Sequence, residues 1–199
     1  MRIGCAIFDF DGTLFDSMGI WEDVGDRYLI SKGKIPKPTL REDLRALSLY
    51  QAAVFIRNEY DLDISPEKIM GEVNKVIEKY YLEEVLPKPG VIEFLEKMKR
   101  KNIPMCIATA SDRYHIESAL KRCNLLCYFE KIFTCDENGH GKDEPDIFIE
   151  AADFFGVPYG RAFVFEDAIH AASTAKQAGF FVVSVKDVSE MRQEKLKEV

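Results

Sequence analysis

Residues 2–13 read RIGCAIFDFDGT, an apolar run over 3–8 that halts at Asp9-Phe10-Asp11-Gly12-Thr13. A short apolar run ending in turn residues predicts an interior strand of a parallel sheet, buried on both faces. Open α/β sheets gather their ligands at the carboxyl ends of the strands, so Asp9 and Asp11 fall where such folds place their chemistry. Side chains alternate along an extended chain, which starts both carboxylates on one side with Phe10 turned into packing. Gly12 then lets the backbone turn sharply. Two carboxylates this close repel one another, and a dianionic substrate as well, by about 4 kcal/mol per pair at an effective dielectric of about 20. Such a site calls for a cation, and hard oxygen ligands around a phosphate favour Mg²⁺. The competing reading, a plain turn or part of a Ca²⁺ loop, lacks the further acids and terminal Glu of a calcium loop.

Beyond Gly12 the periodicity becomes helical over 17–32, 41–44, 48–59 and 66–84. Ser65-Pro66-Glu67-Lys68 is a helix start, with Ser as cap and Pro at the first helical position. Ile69, Val73, Val76, Ile77 and Tyr80 then form one apolar stripe, the core face of a helical bundle. Pro87-Lys88-Pro89-Gly90 breaks the pattern as a hinge or return linker. From there helices at 91–101, 113–123, 146–155 and 168–177 alternate with strands at 103–109, 131–134, 162–165 and 180–185. Repeated βα units of this length imply a doubly wound parallel sheet with right-handed crossovers. The first strand has no partner unless it joins that sheet. The expected fold is therefore α/β: a Rossmann-like core over 1–14 and 89–199, with an all-helical domain inserted at 15–88.

The 199 residues, 47% hydrophobic and 31% charged, suffice for one large domain or a domain with an insert. A net charge of -7 argues against nucleic acid as a partner. No apolar run approaches the roughly 18 residues a membrane helix needs, and the N-terminus reads as a strand, so a soluble, cytoplasmic protein is expected, with a monomer as the default state. Cys5, Cys106, Cys123, Cys127 and Cys135 contain no Cys-x-x-Cys pair, which indicates neither a zinc site nor a disulfide framework.

If the sheet is parallel, every strand ends at the same edge. The second strand ends Thr109-Ala110-Ser111, where a hydroxyl and the next helix's N-terminus suit phosphate oxygens. The fourth ends Phe165-Glu166-Asp167, two acids able to complete a cation site. Between them Gly139-His140-Gly141-Lys142 presents an ammonium that can offset phosphate charge. Singly, each has a plain explanation as a cap or a solvated loop charge; jointly, complementary groups at one edge point to a site.

Asp9-Phe10-Asp11-Gly12-Thr13, Thr109, Lys142 with Pro145 in GKDEPDIF, and Phe165-Glu166-Asp167 resemble, in order and spacing, the four motifs of the haloacid dehalogenase-like hydrolase superfamily. The helical insert resembles that superfamily's cap, and the GKxxPDIF and FED strings are similar to the branch holding β-phosphoglucomutases and small-metabolite phosphatases. The resemblance implies Asp9 as a nucleophile forming an aspartyl-phosphate and Asp11 as general acid and then base. It implies Mg²⁺ held by Asp9, the Asp11 backbone carbonyl and Asp167, with Glu166 beside it. Thr109, Ala110 and Lys142 would bind the phosphate of a small phosphorylated metabolite. β-Phosphoglucomutases carry a His where Trp21 stands and an Arg where Leu49 stands, so the departures favour a phosphatase over a mutase; Arg45, Lys75 and Lys79 are the available substitutes. Ala168 and Ala171 replace the usual Ser and Gly after the last acid. A receiver-like domain or an idle binding protein are the readings of another class. Arg113 could also reach an anionic substrate, His140 could hydrogen-bond it, and Trp21 and Tyr28 are assigned to the core of the insert.

Overall fold

The computed structural model describes residues 3–44, 47 and 49–187. The chain divides into two compact units, residues 1–17 with 85–199, and residues 18–84.

The larger unit is a five-stranded parallel sheet of order β3-β2-β1-β4-β5. Its strands are β1 (Cys5–Phe8), β2 (Met105–Thr109), β3 (Lys131–Thr134), β4 (Ala162–Glu166) and β5 (Phe181–Ser184). Its helices are α5 (Val91–Arg100), α6 (Arg113–Arg122), α7 (Cys135–Asn138), α8 (Asp146–Phe154) and α9 (Ile169–Gln177). β1 and β2 are buried throughout, which is why they read as unbroken apolar runs rather than alternating ones. Alternation still sorts their side chains: Cys5, Ile7, Ala162 and Val164 pack with residues of α8 and α9 on one face. On the other, Phe8 stacks on Phe165 at 4.5 Å and Phe94 of α5 meets both rings edge-on. Burying the Phe8 and Phe165 rings contributes roughly 1.5–3 kcal/mol each. Strand order reverses at β1, which places the switch point, and with it the ligand crevice, between β1 and β4.

The linkers that leave and rejoin this unit pair with each other. Asp16 N–H donates to Leu86 O at 3.0 Å and Lys88 N–H to Leu14 O at 2.9 Å. Phe154, the last residue of α8, is 49% exposed and Phe181 on β5 is 46% exposed, whereas Phe180 is buried.

The smaller unit contains α1 (Gly19–Ser31), α2 (Leu40–Leu44), α3 (Leu49–Glu59) and α4 (Pro66–Glu83). Ser65 caps α4 by accepting from Lys68 N–H at 3.3 Å. The buried stripe of α4 is Ile69, Val73, Ile77 and Tyr81, advancing four residues at a time. It therefore winds past Tyr80, which stays half-buried beneath the Arg27 guanidinium. Trp21 also departs from expectation: Ile20 takes the buried position in the opening turn of α1 and Trp21 is left 51% exposed, while Tyr28 is fully buried with its hydroxyl donating to Glu72 at 3.0 Å. Among the described residues no helix is long and apolar enough to cross a membrane.

Candidate functional site

The β1/β4 register pairs Phe8 with Phe165, and Asp9 N–H donates to Phe165 O at 2.9 Å, so Asp9 and Glu166 leave their strands side by side. The pleat that turns Ile7 and Val164 toward α8 and α9 turns Asp9 and Glu166 the same way. Lys142, on the loop before α8, reaches this point from that face. Its ammonium donates to Asp9 Oδ1 and to Glu166 Oε1, the latter at 3.2 Å, and all three side chains are buried. Asp167 completes the group: one carboxylate oxygen each from Asp9, Glu166 and Asp167 lies within 4.8 Å of the others.

Gly12 is required here on two counts. Its φ is +75°, and a Cβ would sit 2.3 Å from Asp167 Oδ2. The next residue, Thr13, donates its hydroxyl to Asp167 Oδ1 at 3.1 Å. The Asp11 carboxylate lies outside this cluster of side chains; Ser17 and Ser111 each donate a hydroxyl to it, one to either oxygen. Thr109 is buried and accepts from Ser111 N–H at 3.1 Å, while its own O–H remains a donor. Ala110, exposed, offers only backbone.

Three buried carboxylates face one buried ammonium, so the cluster is over-supplied with negative charge. Burial, reinforced by Asp11 and Asp167 and opposed by Lys142, pushes the Asp9 carboxyl up to about 7. Burial and then Asp9 push Glu166 well above the usual carboxylate range, against the pull of Lys142. Burial raises Asp167 despite the Thr13 hydrogen bond. Burial disfavours the charge on Lys142, but Asp9 and Glu166 overcome it and hold the ammonium above its ordinary value. Glu166 Oε2 is buried with no hydrogen-bond partner among the described residues. An orphaned carboxylate oxygen beside two further hard oxygen donors is the donor set of a small divalent cation.

The folded, metal-free protein binds protons that the unfolded chain has lost between the ordinary carboxyl value near 3.8 and about 7, so stability falls as pH rises through that window. Chelated protein is expected to melt at a lower temperature at pH 8 than at pH 5, and Asp9→Asn to remove much of the difference; thermal melts of both proteins check this, and equal melting of the wild type at both pH values would contradict it.

Several sequence candidates find other work. Arg113 donates to both carboxylate oxygens of Glu137 at 2.7 and 2.6 Å and to Ile132 O at 2.6 Å, stapling α6 to α7 and β3 rather than facing a substrate. His140 is half exposed and pairs with Glu144 at 3.2 Å. Lys75 is exposed, Lys79 pairs with Glu83, and Arg45 lies outside the described residues. Ala168 caps α9 with no side-chain hydrogen bond, the consequence of the missing hydroxyl. Ser17, Ser111, Lys88 and Asp187 were not singled out by the sequence. Ser17 lies four residues beyond Thr13 and Ser111 two beyond Thr109, whereas the Lys88–Asp187 pair is separated by 99 residues and leaves no local signal.

A model of haloacid dehalogenase-like hydrolases matches residues 3–179. The bifunctional riboflavin kinase/FMN phosphatase of Arabidopsis thaliana is 29% identical over 189 residues, which cover 91% of this chain and 48% of the relative, so the chain spans about half of that protein. The phosphorylated carbohydrates phosphatase of Thermotoga maritima is 27% identical over 174 residues, 87% of this chain and 81% of the relative. A Thermotoga maritima crystal structure, provisionally assigned as a β-phosphoglucomutase, superposes with a TM-score of 0.82 at 25% identity and 100% coverage of both chains. Because the matched span 3–179 takes in the ends of both β1 and β4 and everything that converges there, the chain belongs to the haloacid dehalogenase-like hydrolase family.

Proposed function

We propose that this protein is a Mg²⁺-dependent phosphohydrolase that releases phosphate from a small phosphorylated metabolite, a phosphorylated carbohydrate being the favoured class, through an aspartyl-phosphate on Asp9. The observation that carries the reading is the buried Asp9, Glu166 and Asp167 cluster with Lys142 against it, two residues from an Asp11 held separately by two hydroxyls. Similarity to relatives named as phosphatases supports the same class.

Asp9, Glu166, Asp167 and the Asp11 backbone carbonyl would hold the cation. Bound there, Mg²⁺ supplies charge neutralisation for the carboxylates and for the phosphoryl oxygens. Lys142 occupies Asp9 Oδ1, which leaves Oδ2 to attack phosphorus. As the Asp9 O–P bond forms, the bond to the leaving oxygen breaks, and that oxygen takes a proton from the Asp11 carboxyl. Asp11, now a carboxylate, accepts a proton from water whose oxygen attacks the same phosphorus; the Asp9 O–P bond breaks and phosphate leaves. Lys142 and the Thr109 hydroxyl stabilise the equatorial oxygens, since positioning and electrostatics carry most of phosphoryl-transfer catalysis. Trp21 and Leu49 put no cation where a second phosphate would need one, which favours water over a phosphorylated sugar as acceptor.

The test is phosphate release from sugar phosphates, FMN and other phosphomonoesters, with Mg²⁺ and with chelator. Release that chelator abolishes is expected on at least one sugar phosphate; release indifferent to chelator, or silence across the panel, would contradict the reading.

A further inference from the structure

The return linker carries a lysine that the chemistry above does not use. Lys88 Nζ donates to Gly12 O at 2.6 Å, Lys186 O at 2.7 Å and Asp187 Oδ2 at 2.8 Å, which engages all three of its donors. The side chains of Lys88 and Asp187 are 17% and 2% exposed. A charge pair this buried is weak evidence for stability, because desolvation consumes most of its attraction. What it does provide is a fixed geometry at Gly12.

We propose that Lys88 and Asp187 are a positioning pair for the cation site, acting on Asp167 through the Gly12–Thr13 peptide. Asp167 is held from two sides by adjacent residues. Thr13 Oγ1 donates to its Oδ1 at 3.1 Å, and the Gly12 backbone lies so close that a Cβ would meet Oδ2 at 2.3 Å. The carbonyl of the peptide joining those two residues is the acceptor that Lys88 grips. Lys88 is itself anchored by its N–H on Leu14 O, and Asp187 follows a strand end fixed by Val185 N–H on Glu166 O at 2.8 Å. The pair thus ties the loop after β1 to the chain leaving β5, and the Asp167 carboxylate is set by that tie. Groups that orient a metal ligand without touching the metal commonly change its affinity about 10–100-fold.

This inference rests on the reading that Asp9, Glu166 and Asp167 hold a divalent cation, so the probe is Mg²⁺ itself, titrated calorimetrically into the full chain. The informative variant is Lys88→Met with Asp187→Asn, which removes both charges and leaves no orphaned buried carboxylate. It is expected to fold, to bind Mg²⁺ about 10–100-fold more weakly than the wild type, and to recover its kcat for phosphate release when Mg²⁺ is raised to saturation. Wild-type Mg²⁺ affinity in the folded double variant overturns the proposal alone. No Mg²⁺ binding by the wild type overturns the cation reading and this proposal with it. If the double variant does not fold, Lys88→Arg is read instead, because it keeps the charge but cannot set one nitrogen against three acceptors; weakened Mg²⁺ binding supports the positioning role and unchanged affinity overturns it.

Discussion

Asp9→Asn is expected to lower phosphate release by about 10⁴-fold or more, a barrier increase of about 5.5 kcal/mol. The substitution keeps the shape of the side chain and leaves Lys142 its bond to Glu166 at 3.2 Å, so the protein should still fold. What it removes is the anionic oxygen that attacks phosphorus, while Asp11 is held apart from that position by Ser17 and Ser111. Initial rates at saturating Mg²⁺, with a thermal melt to confirm folding, check the prediction. Activity within tenfold of the wild type would contradict a covalent role for Asp9.

Lys142→Met should cost stability in addition to the stabilisation of the phosphoryl oxygens assigned to this ammonium. Lys142 is the ammonium that faces Asp9 and Glu166, all three being buried, and methionine fills the space of its stem without its charge. Leaving a buried charge without its partner costs about 3–5 kcal/mol. The loss should be smaller at low pH, where both carboxyls take up protons and no charge is stranded. Urea unfolding in chelator at pH 7.5 and pH 5 measures both quantities. A loss below about 1 kcal/mol at pH 7.5 would mean that the ammonium does not hold the cluster together.

The fold class was legible because parallel strands buried on both faces need no partner information to be seen. β2, β3 and β4 each end in Thr or Glu after an apolar run, and helical periodicity separates them. The convergence of Asp9, Lys142, Glu166 and Asp167 followed from one topological fact, that parallel strands share an edge, together with the resemblance of their motifs. What was hidden depends on contacts between residues remote in sequence. Nothing around Lys88 marks Gly12 O as its acceptor, and nothing around Arg113 reveals that Glu137, 24 residues on, captures it. Periodicity misplaced Tyr80 for a different reason: on a helix whose buried stripe advances by four, the fourth contact falls at Tyr81. Trp21 lies about 100° round α1 from Ile20, and it is Ile20 that fills the buried position and leaves the indole outside.

Phosphoryl transfer to Asp9 is read by acid-quenching the protein during turnover of a ³²P-labelled phosphomonoester with Mg²⁺ and mapping the labelled peptide. Acyl-phosphate label, released by hydroxylamine, is expected on the peptide containing Asp9, enriched in Asp11→Asn and absent from Asp9→Asn. Label on another residue, or turnover by Asp9→Asn at the wild-type rate, would contradict it.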